Sequence, residues 1–201
     1  MGDLVLKGAT SGQITLTPTA VAGTNTLTVP AKTGNIITSA DSGTVTQGMI
    51  ATGVANTGPA FSAYANANQT VTLSTVTKST INTVVFDTAS CFDTTNNRFT
   101  PNVTGYYQIN GIIRGAAATT FTQLRVYIYK NGSWYSSGSG LYSTLTAGGT
   151  NEVQISDLVY LNGSTDYVEL HGLVAGSGTA TFTYAAGIGA CRFSGALVRA
   201  A

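Results

Sequence analysis

Apolar side chains recur at every second position along most of this chain, and a period of two admits strands rather than helices. Tyr107, Ile109, Gly111 and Ile113 fall on one strand face, with Tyr106, Gln108 and Asn110 on the other. Leu124, Val126 and Ile128 alternate with Gln123, Arg125, Tyr127 and Tyr129. Val153, Ile155, Val159 and Leu161 share a face that Asp157 interrupts, which predicts a bulge there. Val168 and Leu170 follow, and Phe193, Gly195 and Leu197 mark a last strand. Lys130-Asn131-Gly132-Ser133 reads as a tight hairpin, because Asn-Gly accepts the positive φ that such a turn requires. Asn162-Gly163-Ser164 reads as a second turn of this kind. No 3.6-residue period appears, so the expected class is all-β. About eight to ten antiparallel strands from Gly58 onward fit a two-sheet sandwich of jelly-roll type.

Three segments follow from the punctuation. Residues 1–40 carry short alternating runs, Gln13 to Thr17 and Thr26 to Val29, between Gly12, Pro18, Gly23 and Pro30. Each run offers one or two apolar side chains per face, too few for a core unless several chains share one. Residues 41–58 read as a linker, in which Val45, Met49 and Ile50 either knit neighbouring chains together or belong to a flexible connector. Residues 59–201 hold the longer strands and the main core.

Composition narrows the function. Charged residues make up 8% of the chain, against roughly 25% in an average soluble domain. The net charge of +1 provides no basic field for nucleic acid or an anionic membrane surface. Near-zero charge leaves little to oppose association, so much of the surface is expected to be buried between subunits. The first residues lack the apolar core of an export signal, and no run approaches the ~18 apolar residues of a membrane span. Without such a signal, passage to the outside is expected to come by lysis of the cell.

The chemistry-bearing residues are sparse. The acids are Asp3, Asp41, Asp87, Asp93, Glu152, Asp157, Asp166 and Glu169, and none pairs in the sequence as a glycosidase carboxylate couple would. His171 is the only histidine and has no evident nucleophile partner, and a zinc site lacks ligands. The expectation is a protein that is not an enzyme and carries no cofactor. Cys91 and Cys191 are either two buried thiols or one disulfide stapling the start of the head to its end.

Several motifs in residues 59–201 resemble those of the globular head of complement component 1q and its tumour-necrosis-factor-like relatives. They are Ala60-Phe61-Ser62-Ala63, Phe86-Asp87, Phe92-Asp93, Phe99-Thr100-Pro101, Gly105-Tyr106-Tyr107, Lys130-Asn131-Gly132 and Phe193-Ser194-Gly195-Ala196-Leu197. Their order holds over about 140 residues. Arg98 replaces the family's glycine before Phe99, and a Thr-Ala-Gly-rich stretch is inserted between Gly172 and Ala190. The resemblance implies a jelly-roll head with a signature core of Phe61, Phe86, Phe99, Tyr107, Phe193 and Gly195. It implies a homotrimer, for which the outward Tyr106, Tyr127 and Tyr129 are candidate contacts. It also implies a function of binding rather than transformation, with Asp87 and Asp93 as candidate oxygen donors to calcium.

Residues 1–40 resemble the amino-terminal repeats of phage tail-fibre proteins, and "SGTVT…MIA" resembles their connectors. This implies a virion fibre or spike: an amino-terminal module held by other virion proteins, and a distal head meeting a host-surface glycan or protein. The candidate receptor-facing loop residues are Phe92, Thr119, Thr120, Thr146, Thr150, Ser177 and Thr179, in the loops Ser90–Asn96, Ala116–Thr120, Thr144–Thr150 and Gly176–Gly189. The alternative is a purely structural capsid or tail decoration protein that binds no receptor.

Overall fold

The computed structural model describes residues 4–7, 10–16, 58–146, 149–184 and 191–201. The chain divides into two units, Met1–Met49 and Ile50–Ala201. In the first, β1 (Leu4–Lys7) and β2 (Gln13–Leu16) form an antiparallel pair, Leu4 opposite Leu16 and Lys7 opposite Gln13. Gly12 takes φ +80 beside β2, a conformation that glycine adopts freely. Val5 and Leu6 are exposed. The Thr26–Val29 strand and, save for Gly58, the 41–58 linker expected from the sequence lie outside the described residues.

In the second unit, every regular element among the described residues is a strand. They are β3 (Ala60–Tyr64), β4 (Gln69–Val71), β5 (Thr77–Lys78), β6 (Thr83–Asp87), β7 (Phe92–Asp93), β8 (Arg98–Phe99), β9 (Thr104–Ala117), β10 (Thr120–Lys130), β11 (Ser133–Thr146), β12 (Thr150–Asn162), β13 (Val168–Ser177), β14 (Ala180–Phe182) and β15 (Arg192–Ala200). Two antiparallel sheets pack as a jelly-roll sandwich. The first sheet runs β12-β9-β15-β3-β6, and the far half of β9 continues into β14 and β4. The second runs β11-β10-β13-β8-β7, with β5 also on β13.

The period of two explains the layers. Tyr107, Ile109 and Ile113 of β9 and Leu124, Val126 and Ile128 of β10 are fully buried, facing one another between the sheets. Gly111 stands where Leu170 of the opposite sheet projects. A methyl group on Gly111 would lie 2.3 Å from Leu170 Cδ1, so the missing side chain makes room for leucine. At one end the core is aromatic. Phe61 stacks on Phe99 (centroids 4.3 Å apart) and Phe92 (5.0 Å) and meets Phe193 edge-on (5.1 Å). The Asn131-Gly132 turn forms as expected, with both residues at positive φ.

Two expectations are corrected. Asp157 causes no bulge: β12 pairs with β9 in unbroken register from Thr150–Ala116 to Asn162–Thr104. Because β12 is an edge strand, an inward-pointing carboxylate there stays half exposed and need not be looped out. Phe86 is not in the core. It lies on β6 at the opposite edge, across from Ser62 on the outer face, and is 48% exposed.

Candidate functional site

Strand β9 spans roughly 40 Å at about 3.3 Å per residue, and its two ends define the ends of the head. At the Thr104 end lie the first described residues of the unit and its last. The Leu197 amide donates to Pro59 O (3.0 Å) and the Ala201 amide to Thr104 O (3.1 Å). At the Ala117 end three turns converge. Thr120 pairs with both Thr146 and Ser177, and Thr150 with Ala116. The Ala118 amide donates to Thr179 O (2.9 Å) and the Thr119 amide to Ser177 O (3.2 Å).

Thr119, Thr120, Thr146, Thr150, Ser177 and Thr179 therefore share one end of the sandwich, away from the chain ends. Thr119, Thr150, Ser177 and Thr179 are exposed there. Phe92 does not join them. It is 8% exposed, and its ring lies in the aromatic core beside Phe61 and Phe193, toward the other end.

The three tyrosines proposed as contacts fall on opposite sides of the molecule. Tyr106 is exposed on the outer face of the first sheet, its ring 5.5 Å from that of Tyr160. Leu158 and Tyr160 of β12 and Val198 of β15 extend this patch, each more than 40% exposed. Val198 falls in the Leu197–Arg199 irregularity, between the residues that pair with Tyr107 and Tyr106. Tyr127 and Tyr129 instead lie on the outer face of the second sheet. There Tyr127 is covered by Trp134, and Tyr129 stacks on His171 at 3.9 Å.

The carboxylates do structural work. Asp87 accepts from the Phe92 amide (2.7 Å), and Asp93 from the Thr95 and Asn96 amides and Asn96 Nδ2, so both tie turns. Hydrogen bonds from Asn96 are the main reason the Asp93 carboxyl is held below its ordinary range. These oxygens face backbone donors, and no cluster of three His, Cys, Asp or Glu side chains gathers among the described residues. Glu169 is buried between Lys78 Nζ (3.0 Å) and His171 Nε2 (3.3 Å). Asp166 joins two turns, accepting from Asn131 Nδ2 (2.7 Å) and pairing with Lys130 (2.9 Å).

Both cysteines are free and buried. Cys191 Sγ lies 3.6 Å from Arg114 O. Cys91 sits near Tyr107, close enough to help its burial push that phenol up to about 12. Arg114 and Tyr107 are seven residues apart on β9, roughly 23 Å, whereas a disulfide needs Cα atoms within about 7 Å. The two-thiol alternative therefore holds. Burial pushes the Cys191 thiol up to about 11, so it is a poor nucleophile.

Titration of this framework has a defined sign. The Asn131 hydrogen bond, helped by Lys130, lowers the Asp166 pKa below 3.8. Its stabilisation is complete above that value and lost as pH falls through the folded pKa. Burial lowers the His171 pKa below 6.5, outweighing Glu169, whose charge Lys78 already offsets. The unfolded chain then takes up a proton first, so stability also declines as pH drops below 6.5. Denaturant midpoints measured across the acid range should fall in these two windows. His171→Phe should flatten the upper decline and Asp166→Asn the lower one.

The strand order, the aromatic core and the carboxylates spent on turns define a jelly-roll head. The globular domain of zebrafish complement 1qA is similar in fold, at 19% identity and a TM-score of 0.50, over 72% of this chain and 99% of that one. Eiger TNF from S. frugiperda is similar at 10% identity and a TM-score of 0.51, over 73% of this chain and 94% of that one. At these identities the likeness is one of fold. No protein-family model matches the chain, nor does any curated protein.

Sequence reasoning passed over β11 and the side chains it presents. Its inward positions include Gly138 and Ser136, so no apolar alternation marks it. The available signal was Trp134-Tyr135, the chain's single tryptophan just after a hairpin turn.

Proposed function

We propose that this chain is a homotrimeric, non-catalytic adhesion protein of a virion fibre. Residues 1–40 attach to other virion proteins, and the head meets a host-surface glycan or protein at its Thr119–Thr150–Thr179 end. The observation that carries the reading is the patch of Tyr106, Leu158, Tyr160 and Val198 on the outer face of the first sheet. A chain with 8% charged residues that exposes two tyrosines, a leucine and a valine side by side has a surface suited to burial between copies. Support for the fibre comes from the resemblance of residues 1–40 to phage tail-fibre repeats. The patch lies toward the Thr104 end, so a threefold contact there gathers the chain ends and leaves the hydroxyl-rich end outward. Three weak contacts made together add avidity.

The test is adsorption of labelled protein to host envelopes. Deleting Gly176–Gly189 is unsuitable, because it removes β14 and with it the buried Ala180 and Phe182. The triple change Thr119→Arg, Thr150→Arg and Thr179→Arg crowds the outward end instead. Adsorption should drop at least about tenfold, the loss of some 1.4 kcal/mol, with the oligomeric mass unchanged. Undiminished adsorption would remove that end as the receptor face.

A further inference from the structure

The outer face of the second sheet carries a feature that the proposed receptor end does not use. Arg125, Tyr127 and Tyr129 of β10 point outward, opposite in parity to the buried Leu124, Val126 and Ile128. On the edge strand beside them, Trp134 pairs with Tyr129, Gly140 with Arg125 and Tyr142 with Gln123. Trp134 is 64% exposed and Tyr142 67%, the two most exposed large apolar side chains among the described residues.

These side chains do not lie flat. Trp134 stands edge-on to Tyr127 (centroids 6.4 Å apart, 89°), and with Val76, Arg125 and Tyr129 they line an open recess of ≈230 Å³. Gly140 stands between Tyr142 and Arg125, where a methyl group would make ordinary contacts with both, at 3.4 and 3.7 Å. The Arg125 guanidinium lies 5.4 Å from the Tyr127 ring centre and makes no ion pair among the described residues.

We propose that this recess binds one acidic pyranose unit, a hexuronate, of a surface polysaccharide. Three features select that ligand. The recess is smaller than the about 300–1,000 Å³ that encloses a drug-sized molecule, and it matches a single ring. A protein partner would need about 800 Å² of cover on each side, far more than this recess and its rim supply. The exposed Trp134 ring in the recess and the exposed Tyr142 ring beyond Arg125 offer flat apolar faces to the C–H side of a pyranose, and the Tyr142 phenol can meet its edge. The unpaired guanidinium fork matches a carboxylate with two parallel hydrogen bonds. The site deepens the adhesion reading and rests on it, adding a contact on the flank of the head to that at its outward end.

Trp134 is the only tryptophan, so its emission reports on this recess alone. Titrating the full chain with tetragalacturonate should shift that emission saturably, with a Kd on the order of 1 mM. The methyl-esterified tetramer, which lacks the charge, should bind at least about tenfold more weakly, some 1.4 kcal/mol. Arg125→Gln should abolish the preference, and Tyr142→Ala should weaken both ligands while keeping the reporter. An unchanged emission, equal responses to the two tetramers or a preference that survives Arg125→Gln would overturn the site. Envelope adsorption separates this from the parent reading. Parent adsorption that Arg125→Gln and Tyr142→Ala leave intact overturns the flank site alone. A clear Trp134 response from a protein that adsorbs to nothing overturns adhesion and leaves the site.

Discussion

Phe61→Ala should lower the free energy of unfolding by about 3–5 kcal/mol, the usual cost of truncating a buried aromatic residue. Phe61 is 1% exposed and is the hub of the aromatic end of the core, in contact with Phe92, Phe99 and Phe193. Removing its ring opens a cavity with three aromatic walls that strands β7, β8 and β15 hold apart. Folded domains are stable by only about 5–15 kcal/mol in total, so the variant should unfold at a much lower denaturant concentration. Phe86→Ala is the matched control. It removes the same ring from a 48%-exposed edge position and should cost less than about 1 kcal/mol. Denaturant titration of both proteins at one concentration decides the matter, and equal losses would show that the aromatic cluster is not the keystone of the core.

Leu158→Lys should turn the assembly into monomers while leaving the sandwich folded. Leu158 is 48% exposed on the outer side of edge strand β12, opposite Gln108, so lysine there costs the single chain little. Between copies it would place an ammonium without a partner against Tyr106 and Tyr160, a burial that costs several kcal/mol. Sedimentation should show loss of the large species at micromolar concentration with unchanged far-ultraviolet dichroism. The melting temperature of the parent should rise with protein concentration, as expected when association and folding are linked, and that of the variant should not. A variant that sediments like the parent would place the contact between copies elsewhere.

The sheets could be read from the sequence where burial follows parity alone. β9, β10 and β13 lie in sheet interiors, so their buried residues keep one parity over long stretches (Tyr107, Ile109 and Ile113; Leu124, Val126 and Ile128; Val168, Leu170 and Val174), and Asn131-Gly132 marks its turn by backbone chemistry. Edge strands break that code. The inward face of β11 mixes Ser136 and Gly138 with Leu141, β12 keeps Asp157 in phase at its open side, and β6 leaves Phe86 outside.

Sites suffered for a related reason. Parity tells which residues point out of a sheet but not which sheet, so Tyr106 and the pair Tyr127 and Tyr129 looked alike and stand on opposite sides. Counting strands brought the Thr119, Thr150 and Ser177 turns to one end, because antiparallel connections alternate. It misplaced Phe92, whose short strand folds back onto Phe61.

The most direct measurement is the mass of the unmodified protein in solution, by sedimentation equilibrium or native mass spectrometry. A species of three times the 20.6 kDa chain, stable on dilution to low micromolar concentration, is the expected result. A stable species of one chain, folded and soluble with Tyr106, Leu158, Tyr160 and Val198 open to water, would contradict the account.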